Sequence, residues 1–408
     1  MIFSQLYPVR GLSCTMSLIM RSCQEYEMKI LILSFFLFTC ALSVTWYSLN
    51  HELDIIAKRS FRTRTNPETQ PAEIDRLWKL YNNLHGGLLL SSPQMKLQFA
   101  KNVQNVLQNN GQFYNGEKKF LTGINKYSHM SPSEFNRTMN GFRKSKLLKF
   151  SGKLHQPQGG DCLQDVDWRV LGAVTPVKDQ GTCGSCYAFS STGSIEGQYA
   201  VQTKTLISLS NQQLVDCTNG YGNYGCDGGL MDTCFNAIRE AGGIQSESSY
   251  PYKGKVSTCR FDPNQVVTSC DGHVSIPEGD EQMLMDAVKN IGPIAIAIDA
   301  SSEDLMSYRS GVYYDNKCKA ANINHAVLLV GYGTEIVNGK QTPYWLVKNS
   351  WGETWGDRGY VKMARFADNM CGIASYALYP TLKYSKGVPQ ACNCSSRISY
   401  KAKQVVPL

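Results

Sequence analysis

The sequence predicts an α+β chain: a mostly helical arm, then a body with a helical first half and an antiparallel β second half. Three observations carry this. Apolar residues recur at helical spacing between 91 and 110, helix-opening and helix-closing signals bracket stretches between 186 and 243, and short apolar runs recur beyond 290. In the arm, Ser91 to Asn110 sets Leu97, Val103, Val106 and Leu107 at helical spacing, alongside Phe99. In the body, a helix is expected from Cys186 to about Gln202. The Ser210-x-x-Gln213 pattern reads as a capping box, and Gly229 to Glu240 reads as a helix closed by Gly242-Gly243. Ile294 to Ile298, Ala326 to Gly331, Tyr344 to Val347 and Tyr360 to Met363 read as strands. No internal repeat is visible. The chain divides into a leader (1–43), an arm (44–161), a body (162–380) and a tail (381–408) whose default reading is disorder.

With 408 residues, 42% of them hydrophobic, the chain can bury a substantial core. Fifteen cysteines are too many for an ordinary cytosolic enzyme and point to an oxidising compartment. Lys29, the apolar run Ile30 to Cys40 and the small residues Ala41-Leu42-Ser43 read as a secretory signal peptide starting at Met28. The run is short for a stable membrane span, a retained signal anchor being the competing reading. Residues 1–27 resemble neither a signal nor a folded element. The net charge of +8 is modest, and its basic clusters, Lys58 to Arg64 and Arg143 to Lys153, lie outside the body. Without interleaved aromatics they read as solvated linker charge, not as a nucleic-acid surface. Gly159-Gly160 and the basic stretch before it look like an exposed, easily cut linker. Asn136-Arg-Thr and Asn393-Cys-Ser match the glycosylation acceptor pattern.

The chemistry concentrates in three places: Gln180-Gly-Thr-Cys183-Gly-Ser-Cys186-Tyr, then Asn324-His325-Ala326, then Asn349-Ser350-Trp351-Gly. A thiol needs a base to become a nucleophile, and the base needs an orienter; these segments supply Cys186, His325 and Asn349. A helix amino terminus and a partner imidazolium can together lower a thiol pKa to about 3–4. Each residue alone has a structural alternative, such as an inert buried thiol or a turn asparagine. Cys183-Gly-Ser-Cys186 is formally a redox C-x-x-C motif, but no βαβ pattern surrounds it. A zinc site would need ligands that no second C-x-x-C or histidine pair provides.

Cys-Gly-Ser-Cys-Tyr is the signature around the reactive cysteine of papain and the cathepsins, with His and Asn far downstream. From about Trp78 to Pro380 the chain resembles the papain-family cysteine proteases, most closely their L-like cathepsin branch. The resemblance implies a papain-like two-subdomain fold: a helical left half, an antiparallel β-barrel-like right half, and a cleft between them. It also implies a mostly helical inhibitory propeptide with its inhibitor domain at about 75–145, and a mature terminus near Asp161 or Cys162. Phe99, Asn102, Val106 and Asn110 match the later positions of the propeptide helix motif, whereas Ser91 and Met95 stand where the family has Glu and Arg. This puts the helix-pinning ion pairs in doubt. The second propeptide motif appears as Gly123, Asn125, Tyr127 and His129. His129 replaces an acid and reads as a surface substitution, with a pH switch as the alternative.

For the body the resemblance implies that Cys186 attacks, His325 is its base, Asn349 orients His325 and Trp351 shields that contact. Gln180 joins the Cys186 N–H in holding an oxyanion. It implies disulfides Cys183–Cys226, Cys217–Cys259 and Cys318–Cys371. Cys162, Cys234, Cys270, Cys392 and Cys394 are left over, with Cys162–Cys270 a guessed fourth bridge and Cys234 a buried thiol. Gly228 and Gly229 would let a peptide pair with the backbone. Leu230, Met231, Ala297, Ile323, Ala326 and Tyr376 would line an apolar pocket for the residue two before the cut bond. The bulk of Tyr376 would favour Leu or Val over Phe, unless its ring turns out of the pocket. Asn324, where relatives often carry Asp, suggests a shifted pH optimum. The expected activity is that of a cysteine endopeptidase made as a zymogen, with no blocking insertion of an exopeptidase and no metal or organic cofactor. Expected partners are protein or peptide substrates, the chain's own propeptide and cystatin-type inhibitors; a monomer in the secretory pathway, lysosomal or extracellular, is expected. The alternative, a catalytically idle binding or inhibitory homologue, would differ in failing to react with an active-site thiol alkylator.

Overall fold

The computed structural model describes residues 46–60, 69–87, 92–143, 153–159 and 165–382. The signal segment, Ser91, Gly160, Asp161, Cys162, Cys392, Asn393, Cys394 and the rest of the tail lie outside the described residues.

The arm begins with a helix described over 46–60 (α1), upstream of the expected inhibitor domain, followed by α2 (Pro71–Leu84) and α3 (Pro93–Tyr114). Their apolar faces meet in a core of Leu49, Leu53, Leu77, Trp78, Tyr81, Phe99, Val103, Val106 and Leu107. Pro93 supplies a preset φ at the first turn of α3, and Ser92 Oγ accepts from the Met95 N–H at 3.3 Å. Leu97, expected with the core residues, is 61% exposed. It lies two positions from Phe99, and residues two apart on a helix do not share a face.

After α3 the arm runs along the body. Strand β1 (Phe120–Thr122) pairs antiparallel with body residues Tyr308 to Gly311. Helix α4 (Pro132–Met139) follows, and β2 (Lys153–Leu154) pairs with Val274 and Ser275. His155 is buried there, and residues 156–159 are exposed.

The body opens with β3 (Val166–Asp167), then α5 (Cys186–Thr203), α6 (Asn211–Cys217) and α7 (Met231–Ala241), with a small ribbon of β4 (Ile244–Gln245) and β5 (Val266–Thr268). Helix α5 is buried over most of its circumference, as befits a helix between two layers. Ser210 caps α6 by accepting from the Gln213 N–H at 2.9 Å. The reciprocal half of the capping box is missing, because the Gln213 amide bonds Gly243 O and Gln245 N instead.

The second half carries β6 (Cys270–Ser275), α8 (Glu281–Asn290), β7 (Ile294–Ile298), α9 (Glu303–Met306), β8 (Tyr308–Tyr313), β9 (His325–Val337), β10 (Lys340–Lys348), β11 (Tyr360–Ala364) and β12 (Ala377–Leu382). The sheet order is β1-β8-β11-β10-β9-β7-β12-β6-β2, with β3 beside β9. This corrects the barrel-like expectation: the sheet is open, and arm strands occupy both of its ends. An unpaired edge exposes backbone donors and acceptors, and the arm covers both. One core, with Trp345, Trp355, Ile296, Leu329 and Val347, lies within the β half. A second, with Ile195, Phe235, Ala295 and Leu378, joins the halves.

Candidate active site

Cys186 is the first residue of α5, His325 the first of β9, and Asn349 directly follows β10. A helix start, a strand start and a strand end thus converge. His325 Nε2 lies 2.9 Å from Asn349 Oδ1, and the Trp351 ring stacks on the imidazole at 4.5 Å and 28°. The Ala326 N–H donates to Cys186 Sγ at 3.4 Å, bringing the sulfur against the residue that follows His325. The other ring nitrogen, Nδ1, is buried and has no hydrogen-bond partner among the described residues.

Gln180 Nε2 donates to Met139 O and Cys183 O, both at 2.9 Å. Its Oε1 accepts from Ser350 Oγ at 2.6 Å, and its N–H donates to Ser350 O at 2.8 Å. Ser350, which the sequence reading passed over although it sits inside the Asn-Ser-Trp motif, therefore orients Gln180. Its own N–H donates to Asn349 Oδ1 at 2.8 Å, linking both amides.

The arm covers this constellation. After α4, residues 140–143 cross the cleft in extended form: Gly229 N donates to Gly141 O at 2.8 Å, Arg143 N to Gly229 O at 3.3 Å, and Phe142 N to Asn324 O at 2.9 Å. Phe142 and Gly229 run parallel. A Cβ on Gly141 would lie 1.8 Å from Gly184 O, so only glycine passes there. Gly228 holds φ of 113°, the left-handed side that glycine adopts freely. Among arm residues, Phe135 packs edge-on to Trp351 at 4.8 Å, and the Tyr127 hydroxyl donates to Trp351 O at 3.3 Å. Under this cover burial favours the neutral form of both reactive groups. Burial pushes the Cys186 thiol up to about 11 despite the N–H groups of Ala326 and Gly141, and lowers His325 to about 4 despite Asn349.

Leu230, Met231, Ala297, Ile323, Ala326 and Tyr376 are all buried in one cluster with Phe142. Tyr376 stays in the pocket, 4% exposed, and meets the Phe142 ring edge-on at 4.9 Å and 69°. The arm's own Phe142 ring is thus accommodated beside Tyr376 in an edge-to-face contact. Asn324 does not turn toward His325. Its Oδ1 accepts from Ala300 N at 2.9 Å and its Nδ2 donates to Ser301 Oγ at 2.6 Å.

The disulfides are Cys183–Cys226, Cys217–Cys259 and Cys318–Cys371. Cys234 is a buried free thiol, and so is Cys270, whose Sγ donates to Phe235 O at 3.2 Å. The guessed Cys162–Cys270 bridge is therefore not formed. No group of three or more His, Cys, Asp or Glu residues placed to hold a metal occurs among the described residues.

In the arm, Asn102 donates to Ser128 O at 2.8 Å and Met130 O at 3.0 Å, and Asn110 to Thr122 O at 3.1 Å. Other ion pairs brace the helices: Arg76–Glu52 at 2.5 Å and Lys96–Asp75 at 2.7 Å. His129 is not a surface substitution. It is half-buried, its Nδ1 lies 2.8 Å from the Tyr81 hydroxyl, its ring is 5.5 Å from that of His85, and burial lowers it to about 4. Asn136 lies within α4, its Nδ2 donating to Ser301 O at 3.2 Å and its Oδ1 accepting from Asn140 at 2.9 Å, so both atoms of this glycosylation candidate are engaged.

A family model described as papain family cysteine protease matches residues 163–381. The chain is 47% identical over 290 residues to a cathepsin L-like peptidase of Aedes aegypti, covering 69% of this chain and 85% of that one. It is 47% identical over 285 residues to procathepsin L of Mus musculus, covering 70% and 84%. The structure of digestive procathepsin L 3 from the Tenebrio molitor larval midgut is similar with a TM-score of 0.69 and 42% identity, over 76% of this chain and 99% of that one. A cysteine heading a buried helix, an imidazole held by an asparagine across the cleft, and relatives matched through arm and body alike lead to one conclusion: the chain belongs to the papain family of cysteine proteases, as a cathepsin L-like endopeptidase made as a zymogen.

Proposed function

We propose that Cys186, His325, Asn349 and Gln180 perform the hydrolysis, with residues 44–161 as the removable arm and 162–380 as the enzyme. The His325 Nε2–Asn349 Oδ1 contact, with the Cys186 sulfur against Ala326, carries this reading. Once the arm leaves, water and the α5 amino terminus again stabilise a thiolate, and His325 takes the thiol proton. The sulfur attacks the substrate carbonyl carbon, and the carbonyl electrons move to oxygen, which accepts from Gln180 Nε2 and the Cys186 N–H. The imidazolium protonates the leaving amine as the C–N bond breaks. Water, deprotonated by His325, then attacks the thioester, releasing the acid and restoring the thiol. Asn349 keeps the imidazole in one tautomer, and Trp351 shields that bond.

The arm carbonyl Met139 O, which accepts from Gln180 Nε2 at 2.9 Å, supports Gln180 as the oxyanion donor. Gly228 and Gly229 would pair with substrate backbone. The pocket of Leu230, Met231, Ala297, Ile323, Ala326 and Tyr376 would select an apolar side chain, aliphatic or aromatic, two residues before the cut. Location in the secretory pathway, lysosomal or extracellular, is supported by three disulfides and by the likeness to procathepsin L and to a digestive procathepsin L. No helix among the described residues is long and apolar enough to cross a membrane. A monomer that cystatin-type inhibitors block completes the proposal.

The test is hydrolysis of Leu-Arg and Phe-Arg fluorogenic peptides after incubation at mildly acidic pH, with wild type and Cys186→Ala. Thiol-dependent cleavage of both peptides, lost in the variant, is expected. A processed wild type that cleaves neither would overturn the assignment. Gln180→Ala should lower kcat by about 10²–10³, the loss of one oxyanion donor.

A further inference from the structure

A small cavity with both polar and apolar walls lies between α5 and strands β9 and β10. Lys178, Glu196, Lys348, Asn349 and Ser350 contribute to its wall, and it has room for about one or two waters. Glu196 is 1% exposed and Lys348 is 8% exposed, far inside for charged side chains. Lys348 Nζ donates to Thr175 O at 2.7 Å and to Thr175 Oγ1 at 3.0 Å. The same hydroxyl donates to Glu196 Oε2 at 2.6 Å, and Glu196 Oε1 accepts from Lys178 at 2.8 Å and from the Leu209 N–H at 2.8 Å. Every charge in the group is therefore met by an opposite charge or a fixed dipole.

The connectivity gives this network its meaning. Glu196 belongs to α5, the helix that Cys186 heads, and Lys348 is the last residue of β10, bonded directly to Asn349. We propose that Lys348 is a positioning residue for the His325–Asn349 pair: held on Thr175, and through Thr175 on Glu196, its ammonium locks the strand end bearing Asn349 to the helix bearing Cys186. The inference rests on the assignment of Cys186, His325 and Asn349 made above.

Stability alone is a poor reason for such a group, since buried ion pairs commonly match well-packed apolar residues only evenly. What it supplies is register between the helical half and the β half. Asn349 must hold its Oδ1 at 2.9 Å from His325 while its backbone N–H is tied to Gly359 O at 3.0 Å. A slip of Lys348 along the strand moves that oxygen with it. Lys348 pairs across the sheet with Leu328 and Tyr360, and the charged groups acting on it are Glu196 of α5 and Lys178 of the preceding loop; Glu247 adds a further carboxyl beside Lys178. Burial lowers Lys348 to about 8 against the pull of Glu196. Glu196 is lowered from the usual carboxyl value, since Lys178 and Lys348 outweigh its burial. The lock is therefore charged through the acidic range and loses its charge in the alkaline one.

The experiment uses the full chain, activated by acid incubation, as wild type, Lys348→Met and Lys348→Arg. It measures kcat, KM and the rate of Cys186 alkylation by iodoacetamide between pH 4 and 10. Lys348→Met should lower kcat about tenfold with KM within about twofold, because a misplacement near 1 Å costs rate before it costs binding. Wild-type kcat should fall as pH rises through about 8, this fall should vanish in Lys348→Met, and Lys348→Arg should recover part of kcat. Wild-type kcat and an unchanged pH profile in Lys348→Met would overturn the proposal. If Lys348→Met does not accumulate, Thr175→Val removes the shared hydroxyl and leaves both charges. Reduced kcat at constant KM then supports the lock, and wild-type kinetics rejects it. A wild type without thiol-dependent hydrolysis would sink the underlying protease reading, visible without any variant.

Discussion

From Asp54 to Asn136 the arm meets the body through side-chain bonds as well as the β1–β8 backbone pairing, whereas from Asn140 to Arg143 it meets it through backbone bonds and one buried ring, Phe142. In the first region Arg309 forks onto Asp54 at 2.8 and 2.9 Å, Lys118 pairs with Asp304 at 2.6 Å, and Lys126 pairs with Asp179. The amides of Asn105, Asn125 and Asn136 reach Glu303, Met306 O and Ser301 O. In the second region, Gly141 O, the Phe142 N–H and the Arg143 N–H bond Gly229 and Asn324, and Phe142 fills the pocket. A backbone-paired strand carries little sequence information, so any extended chain with an apolar anchor can take its place. Selectivity of the arm for this body is therefore expected to reside in the side-chain contacts, and silencing of the thiol in the segment that crosses the cleft.

The largest break of this contrast is Gly141→Val. A Cβ cannot pass Gly184 O, so the strand should leave the cleft while the dock stays bound. Alkylation of Cys186 in the unprocessed chain should then accelerate by about a hundredfold or more, as the thiol regains water and its low pKa. Unchanged labelling would mean that the strand is not what silences the sulfur. Phe142→Ala should weaken the seated arm by about 3 kcal/mol, the cost of removing a buried phenyl ring, read as inhibition of the processed body by added arm. Asp54→Asn leaves Arg309 without its fork and should lower the zymogen melting temperature by an amount matching about 1.5–3 kcal/mol. In the processed enzyme the same change cannot matter, since Asp54 is gone.

The smallest effect concerns acid. Burial holds His129 at about 4, below its ordinary 6.5, with His85 adding to the depression, so the unfolded arm binds a proton that the folded arm does not. The arm's stability is thus greatest above pH 6.5 and falls as pH drops toward 4. His129→Asn should flatten that part of the zymogen's melting temperature against pH. A slope unchanged by the substitution would place the acid sensitivity elsewhere in the dock.

Helix α5 was legible because Cys186 follows a glycine-containing turn and opens a stretch free of proline; it spans Cys186–Thr203 against an expected end near Gln202. The strand at Ile294–Ile298 emerged as expected, since five consecutive apolar residues can only be a doubly buried segment. Strands β9 and β10 run longer than their apolar stretches because their outer ends pair as a hairpin whose polar residues face solvent. Leu97 was misread because an apolar residue two positions off the helical face looks like a neighbour in sequence and is none in space. The extended arm segment at 140–143 carried no periodicity, only a glycine before a phenylalanine, so nothing local marked it as an occupant of the cleft.

The sequence by itself determined the chemistry and its order: a thiol at a helix start, a histidine and an asparagine far downstream, and the residue types that make each useful. Those are local properties, written in spacing and side-chain type. Only the tertiary structure decided which groups touch: that Ser350 turns Gln180, that Tyr376 meets a phenyl ring edge-on, that His129 is buried against Tyr81, and that Lys348 reaches Glu196 through Thr175. Each of these joins segments far apart along the chain, and such contacts exist only where packing has brought two elements within hydrogen-bond or van der Waals reach.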